Sequence, residues 1–153
     1  MKYLAILILT FSVSTAFSQQ IQSKKIIEGV VREFSSAFSW EFSENIFDKK
    51  DTIVTCTILY RNGEYKAIYD AANISFTSQE SIIQFTTKLK EFAEINDNTT
   101  NSFKSAEYTL NTSGDGVVYI YNKDNKWSFI SKKGILKLTS QLEDNQNLLR
   151  KAE

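Results

Sequence analysis

Apolar and polar residues alternate along the chain in two rhythms, one helical and one of period two, and each predicts elements. Over residues 23–38 the apolar positions Ile26, Ile27, Val30, Val31, Phe34 and Phe38 fall at the i, i+4 and i+8 steps of an amphipathic helix. Ser23 is its candidate N-cap, although Lys24 and Lys25 put positive charge where the helix dipole disfavours it. Phe38, Trp40 and Phe42 then alternate, so this stretch reads either as a short strand or as the helix end bending into one. Residues 52–60 are β-branched and apolar, and Asn62-Gly63 behind them is a strong short-range turn signal. Tyr65, Ala67 and Tyr69 are therefore expected on the returning strand, with residues 70–73 breaking it and Ile74-Ser75-Phe76 as a strand end.

The helical rhythm returns over residues 79–95, where Ile82, Phe85, Thr86, Leu89, Phe92 and Ala93 form one stripe. Thr77 or Ser78 can cap this helix, and Thr77 with Glu80 fits a capping box. Residues 95–105 read as a polar loop, and residues 108–110 as a strand. Turn clusters at 111–116 and 122–125 bracket a strand at 117–121, whose partner is expected at 126–130. Ile135, Leu138, Leu142 and Leu149 predict a last helix within residues 132–152.

Two of these segments are alike. Phe76-Thr77-Ser78, followed by Ile82-Ile83, Phe85 and Leu89, resembles Ile130-Ser131-Lys132, followed by Ile135-Leu136, Leu138 and Leu142, with one residue gapped. A duplicated hairpin–helix unit is one reading, and two unrelated units with matching binary patterns the other. The expected fold class is α+β: an antiparallel sheet of about five to six strands with two or three helices on one face. Residues 123–138 are also similar, at Trp127, Phe129-Ile130 and Gly134, to one unit of the secreted WG-type β-repeat. Ser128 stands where that repeat has glycine, and ordinary hairpin chemistry accounts for the match.

The first 18 residues change the picture of compartment. Lys2, an apolar run from Tyr3 to Val13, and small Ala16 and Ser18 ahead of Gln19 make the three-part pattern of a secretory signal peptide. The run is short of the ~20 residues a membrane span needs. Residues 1–18 are read as a removed signal peptide and 19–153 as a single α+β domain. The protein is expected to be exported, periplasmic or extracellular, without membrane insertion after cleavage. The Asn-, Lys- and Ile-rich composition suits a bacterial exported protein. The single cysteine, Cys56, lies in a strand-like run and is expected to act as a small buried apolar residue.

Composition then removes chemistries. With no histidine, the commonest general base, metal ligand and pH switch is missing, and no Ser-His-Asp or Cys-His site can be built from this chain alone. The balance of 18 cationic against 18 anionic side chains argues against nucleic acid as a partner. No metal, cofactor or catalytic set is assigned: neither Asp48–Asp51 nor Asn122–Asn125 has an EF-hand frame, and the glycines form no phosphate cradle. A carboxylate-dependent secreted hydrolase acting on a polysaccharide remains an alternative, with Glu64, Asp70, Glu80, Asp115 and Asp124 as the available acids. A structural or assembly subunit of the cell envelope is another.

Aromatic residues carry the positive signal. Tyr60, Tyr65, Tyr69, Tyr119 and Tyr121, joined by Trp127, fall on the two predicted hairpins. Tyr65 and Tyr69 share one face by alternation, as do Tyr119 and Tyr121. These six are the candidate binding residues: they either pack beneath the helices or form an open face for a protein, peptide or glycan. The expected role is a non-catalytic binding or accessory protein that recognises a protein, peptide or envelope component through that face or an edge strand. Oligomeric state is not readable from the sequence.

Overall fold

The structure is a computed structural model, and it describes residues 22–32, 37–47, 51–64, 70–95, 100–112 and 116–151. The signal-peptide residues 1–18, the returning strand expected at Tyr65, Ala67 and Tyr69, and Asp115 lie outside the described residues. The fold is α+β, with two four-stranded antiparallel sheets and two helices. Strands β1 (Gln22–Arg32), β2 (Ala37–Phe47), β3 (Asp51–Arg61) and β4 (Ala71–Phe76) form a meander that leads into helix α1 (Gln79–Ala93). Strands β5 (Asn101–Lys104), β6 (Tyr108–Thr112), β7 (Val117–Asn122) and β8 (Trp127–Ser131) repeat that order and lead into α2 (Lys132–Asn145) and a 3₁₀ segment, Gln146–Lys151. No helix among the described residues is long and apolar enough to cross a membrane.

Three expectations are corrected here. Where a helix is expected over residues 23–38, the described residues form β1 and the start of β2, and residues 33–36, with Phe34, lie outside the described residues. The Ile and Val residues of β1 are β-branched and Gly29 sits mid-segment, both unfavourable in a helix. Pairing with β2 places Ile27, Gly29 and Val31 on core-side rows beside Phe42, Trp40 and Phe38. A bulge at Ile26 shifts the register, and this mixed spacing imitates a helical stripe. The Phe38–Trp40–Phe42 alternation is a true strand pattern. Second, Asn62-Gly63 does not close a two-residue hairpin: Arg61 pairs with Ala71, and of residues 70–73, expected to break the strand, 71–73 instead begin β4. Third, the polar loop at 95–105 contains β5. Ser105 turns that hairpin by accepting from the Glu107 and Tyr108 N–H groups at 3.2 Å, without Gly, Pro or Asn to announce it. With four strands in each unit, and α1 between β4 and β5, the ladder does not continue into one sheet of five or six strands.

The two helices start alike. Ser78 caps α1 by accepting from Ser81 N–H, and Ser131 caps α2 by accepting from Gly134 N–H. Because the cap is Ser78, the Thr77–Glu80 capping box does not form. Counted from each cap, Ile82, Phe85, Thr86 and Leu89 match Ile135, Leu138, Thr139 and Leu142, and all eight are buried. The additional residue in the first unit is Thr77.

Each helix packs on the sheet of the other unit as well as on the last strand of its own. Helix α1 lies against β6 and β7, while α2 and the 3₁₀ segment lie against β1 and β3. Phe85 of α1 stands between Phe76 of β4 and Tyr108 of β6, with ring centroids 5.1 and 5.0 Å away. Trp40 of β2 donates through Nε1 to Gln141 Oε1 of α2 at 2.8 Å. The helices run side by side, joined by Lys90–Glu143 at 2.6 Å and Glu94–Lys132 at 2.9 Å. One hydrophobic cluster includes residues from both sheets and both helices.

Gly29 shows how tight this packing is. A Cβ there would overlap the Trp40 indole. Gly29→Ala is expected to cost about 1–3 kcal/mol by overpacking, read as a lowered midpoint in urea unfolding. Cys56 is fully buried in the row Phe42–Cys56–Phe76, where burial pushes its thiol up to about 12. It should therefore resist a thiol reagent in the native protein and react only on unfolding.

Candidate functional site

The site is built on the face of the second sheet that points away from the core. Alternation along β7 buries Val118 and Ile120 and turns Tyr119 and Tyr121 outward. Along β8 it buries Ser128 and Ile130 and turns Trp127 and Phe129 outward. Register then makes these four rings neighbours, since Tyr119 pairs with Phe129 and Tyr121 with Trp127. Ring centroids lie 6.0 Å apart for Tyr119–Trp127, 6.3 Å for Tyr119–Phe129 and 6.4 Å for Tyr121–Trp127. All four residues are half-buried.

The same register extends both rows over β6 and β5. Tyr119 continues to Asn111 and Ser102, and Tyr121 continues to Thr109 and Lys104. Half of the face is therefore aromatic and half carries amide and hydroxyl groups. Lys104 is the only charged residue on these two rows. Among the described residues, Asn111 Oδ1 has no hydrogen-bond partner.

A corner between the two units braces the aromatic half. Asn62, at the end of β3, is almost fully buried, with Oδ1 accepting from Glu64 N–H at 3.2 Å and from Trp127 N–H at 3.3 Å. Its Nδ2 donates to Asp70 Oδ2 at 3.0 Å. Gly63 N–H donates to the Trp127 carbonyl at 2.6 Å, and a Cβ on Gly63 would run into the Trp127 ring. Asn122, at the end of β7, mirrors Asn62: its Oδ1 accepts from Asp124 and Lys126 N–H, and its Nδ2 donates to the Asn73 carbonyl. These contacts occupy the Trp127 N–H and carbonyl and seat its ring against Gly63.

Of the candidate residues, Tyr119, Tyr121 and Trp127 come together on this face. Tyr60 is 2% exposed and belongs to the core, where its hydroxyl donates to the Lys126 carbonyl at 3.2 Å and burial raises its pKa. Tyr65 and Tyr69 lie outside the described residues. Phe129 was missing from the sequence-based set. The signal is in the sequence, since Phe129 follows Trp127 by two positions on one strand, although its ring lacks the polar tip shared by the other candidates.

The matching strands of the first unit are different. The outward pairs of β3 and β4 are Thr57–Ser75, Leu59–Asn73 and Arg61–Ala71, with no ring among them. No family model matches the chain, and no curated protein matches it. The face is therefore judged on its own chemistry.

The carboxylates are placed as follows. Asp70 pairs with Lys126 Nζ at 2.8 Å. That hydrogen bond, then the one from Asn62, lowers the Asp70 pKa below its ordinary 3.8. A carboxyl held ionised in this way suits a structural anion rather than a proton donor. Glu80 lies in the first turn of α1, and Glu64 and Asp124 are exposed. A groove of about 410 Å3 between the start of α1 and the β5–β6 turn is lined by serines, Thr77, Gln84 and Tyr108, with Glu107 as its one carboxylate. Among the described residues, no group of three or more Cys, Asp or Glu side chains is placed to hold a metal.

The Asp70 pair has a signed pH consequence. Because the folded pKa is depressed, its stabilisation is present above the unfolded value of 3.8 and is lost as pH falls through the lower folded value. Lys126→Met should move the Asp70 carboxyl titration, followed by NMR, back up toward 3.8.

Proposed function

We propose that this is an exported, non-catalytic binding protein that engages its partner through Tyr119, Tyr121, Trp127 and Phe129 on the outer face of the second sheet. The observation that carries the reading is the asymmetry between the two units. The third and fourth strands of the first unit place Thr57, Leu59, Asn73 and Ser75 outward, so a sheet of this kind does not require rings there. Four clustered, half-exposed rings on the second sheet go beyond what folding demands, and Tyr, Trp and Phe are the residues enriched at recognition surfaces. The compartment is read from the first 18 residues, and the absence of histidine supports binding over catalysis.

We also propose that the two units arose by duplication of one ββββα unit. Matched element order, matched serine caps and matched helix core positions support this. In that reading the recognition face was acquired by one copy alone.

The test uses the purified chain as bait against the envelope fraction of its source cells. Tyr119→Ser with Phe129→Ser should abolish specific capture, while Thr57→Ala with Ser75→Ala on the first sheet should not. Equal capture by both double variants would refute the reading.

A further inference from the structure

We infer that the ligand of this face is an uncharged polysaccharide strand, lying across the β-strands with sugar rings on the aromatic half and hydroxyls on the amide and hydroxyl half. This rests on the binding role proposed above and names its ligand class. A pyranose has one face rich in C–H groups and a rim of hydroxyls. It needs flat rings to stack on and side chains that both donate and accept hydrogen bonds at their border. The two cross-strand rows supply this pairing. Tyr119 and Phe129 continue into Asn111 and Ser102, and Tyr121 and Trp127 continue into Thr109 and Lys104. Neighbouring strands are ~4.8 Å apart, so each row is a track about 14 Å long from β5 to β8.

Three observations favour a glycan over a peptide or a protein. First, strand addition at β8 is obstructed at Trp127, whose N–H and carbonyl are already taken by Asn62 and Gly63. Second, the rows hold no carboxylate and a single cation at the rim, so a neutral ligand matches them better than a charged one. Third, Asn111 Oδ1 lacks a donor among the described residues, and it stands where the aromatic half meets the polar half. That oxygen is itself buried, and a ligand hydroxyl reached by turning the amide toward the open face would supply the donor it lacks. Trp127, fixed by the corner contacts, offers a stacking surface that needs no ordering on binding.

The experiment titrates the purified chain with cellohexaose, chitohexaose, xylohexaose and polygalacturonate, following tryptophan emission and heat. Trp40 is 4% exposed, so Trp127 dominates any change. The expected result is saturable binding of at least one neutral hexasaccharide, weakened at least tenfold by Tyr119→Ala and by Asn111→Ala with an unchanged melting midpoint. Binding confined to polygalacturonate and removed by salt or by Lys104→Gln would overturn the neutral-glycan assignment. No saturable binding to any of the four would overturn it as well. If an envelope protein is then captured in a Tyr119-dependent way, the face still binds and only the ligand class is wrong. If capture does not depend on Tyr119, the binding role falls too.

Discussion

Phe85→Ala should destabilise the protein by about 3–5 kcal/mol and leave a single unfolding transition. The ring is fully buried and meets Phe76 of the first sheet and Tyr108 of the second within about 5 Å. Its loss opens a cavity where three elements converge, and neither sheet can close it alone. Each helix bridges the units, since α1 lies against β6 and β7 as well as β4, while α2 and the 3₁₀ segment lie against β1 and β3 and α2 also against β8. Weakening this point should therefore loosen both sheets together. Urea unfolding followed by Trp40 in the first sheet and Trp127 in the second checks this, and coincident shifted midpoints are expected. Two separated transitions would mean that the units fold independently.

Asn62→Ala has the next largest expected effect, about 2–4 kcal/mol, from removing three hydrogen bonds and leaving the Trp127 N–H without its acceptor. The loss should fall mainly on the corner between the units. Hydrogen exchange should quicken at the Trp127 amide more than in the middle of β2. Trp127 emission should shift to the red as its indole loses the seat against Gly63. Asn122→Ala should act in the same direction, because Asn122 ties the opposite side of the corner to the Asn73 carbonyl.

The sequence carried different parts of this structure with different clarity. The α1 stripe was legible in full: Ile82, Phe85, Thr86, Leu89, Phe92 and Ala93 are its six buried residues. A period of 3.6 sustained over four turns has few competitors. Residues 23–38 misled because β1 is an edge strand that leaves Ile26 and Val30 exposed at 44% and 49%. With a bulge added, its apolar positions follow neither rhythm cleanly. Strand β5 was hidden because only four residues long, with Phe103 as its single apolar side chain. The Asn-Gly signal marked a real strand end but not the partner, because Asn62 serves the corner with β8 instead of closing a tight hairpin. Tyr119, Tyr121 and Trp127 could be put on one list from sequence. That Tyr60 belongs in the core, with its hydroxyl on the Lys126 carbonyl, depended on which face of β3 meets the core, and alternation alone does not set that choice.

The central claim is that recognition belongs to the outer face of the second sheet and not to that of the first. Photocrosslinking tests it most directly. A benzophenone side chain would be placed at Tyr121 on the second sheet or at Thr57 on the first, and each protein irradiated with the envelope fraction of its source cells. The account predicts a discrete adduct from position 121, removed by Tyr119→Ser, and none from position 57. An adduct from position 57, or none from position 121, would contradict it.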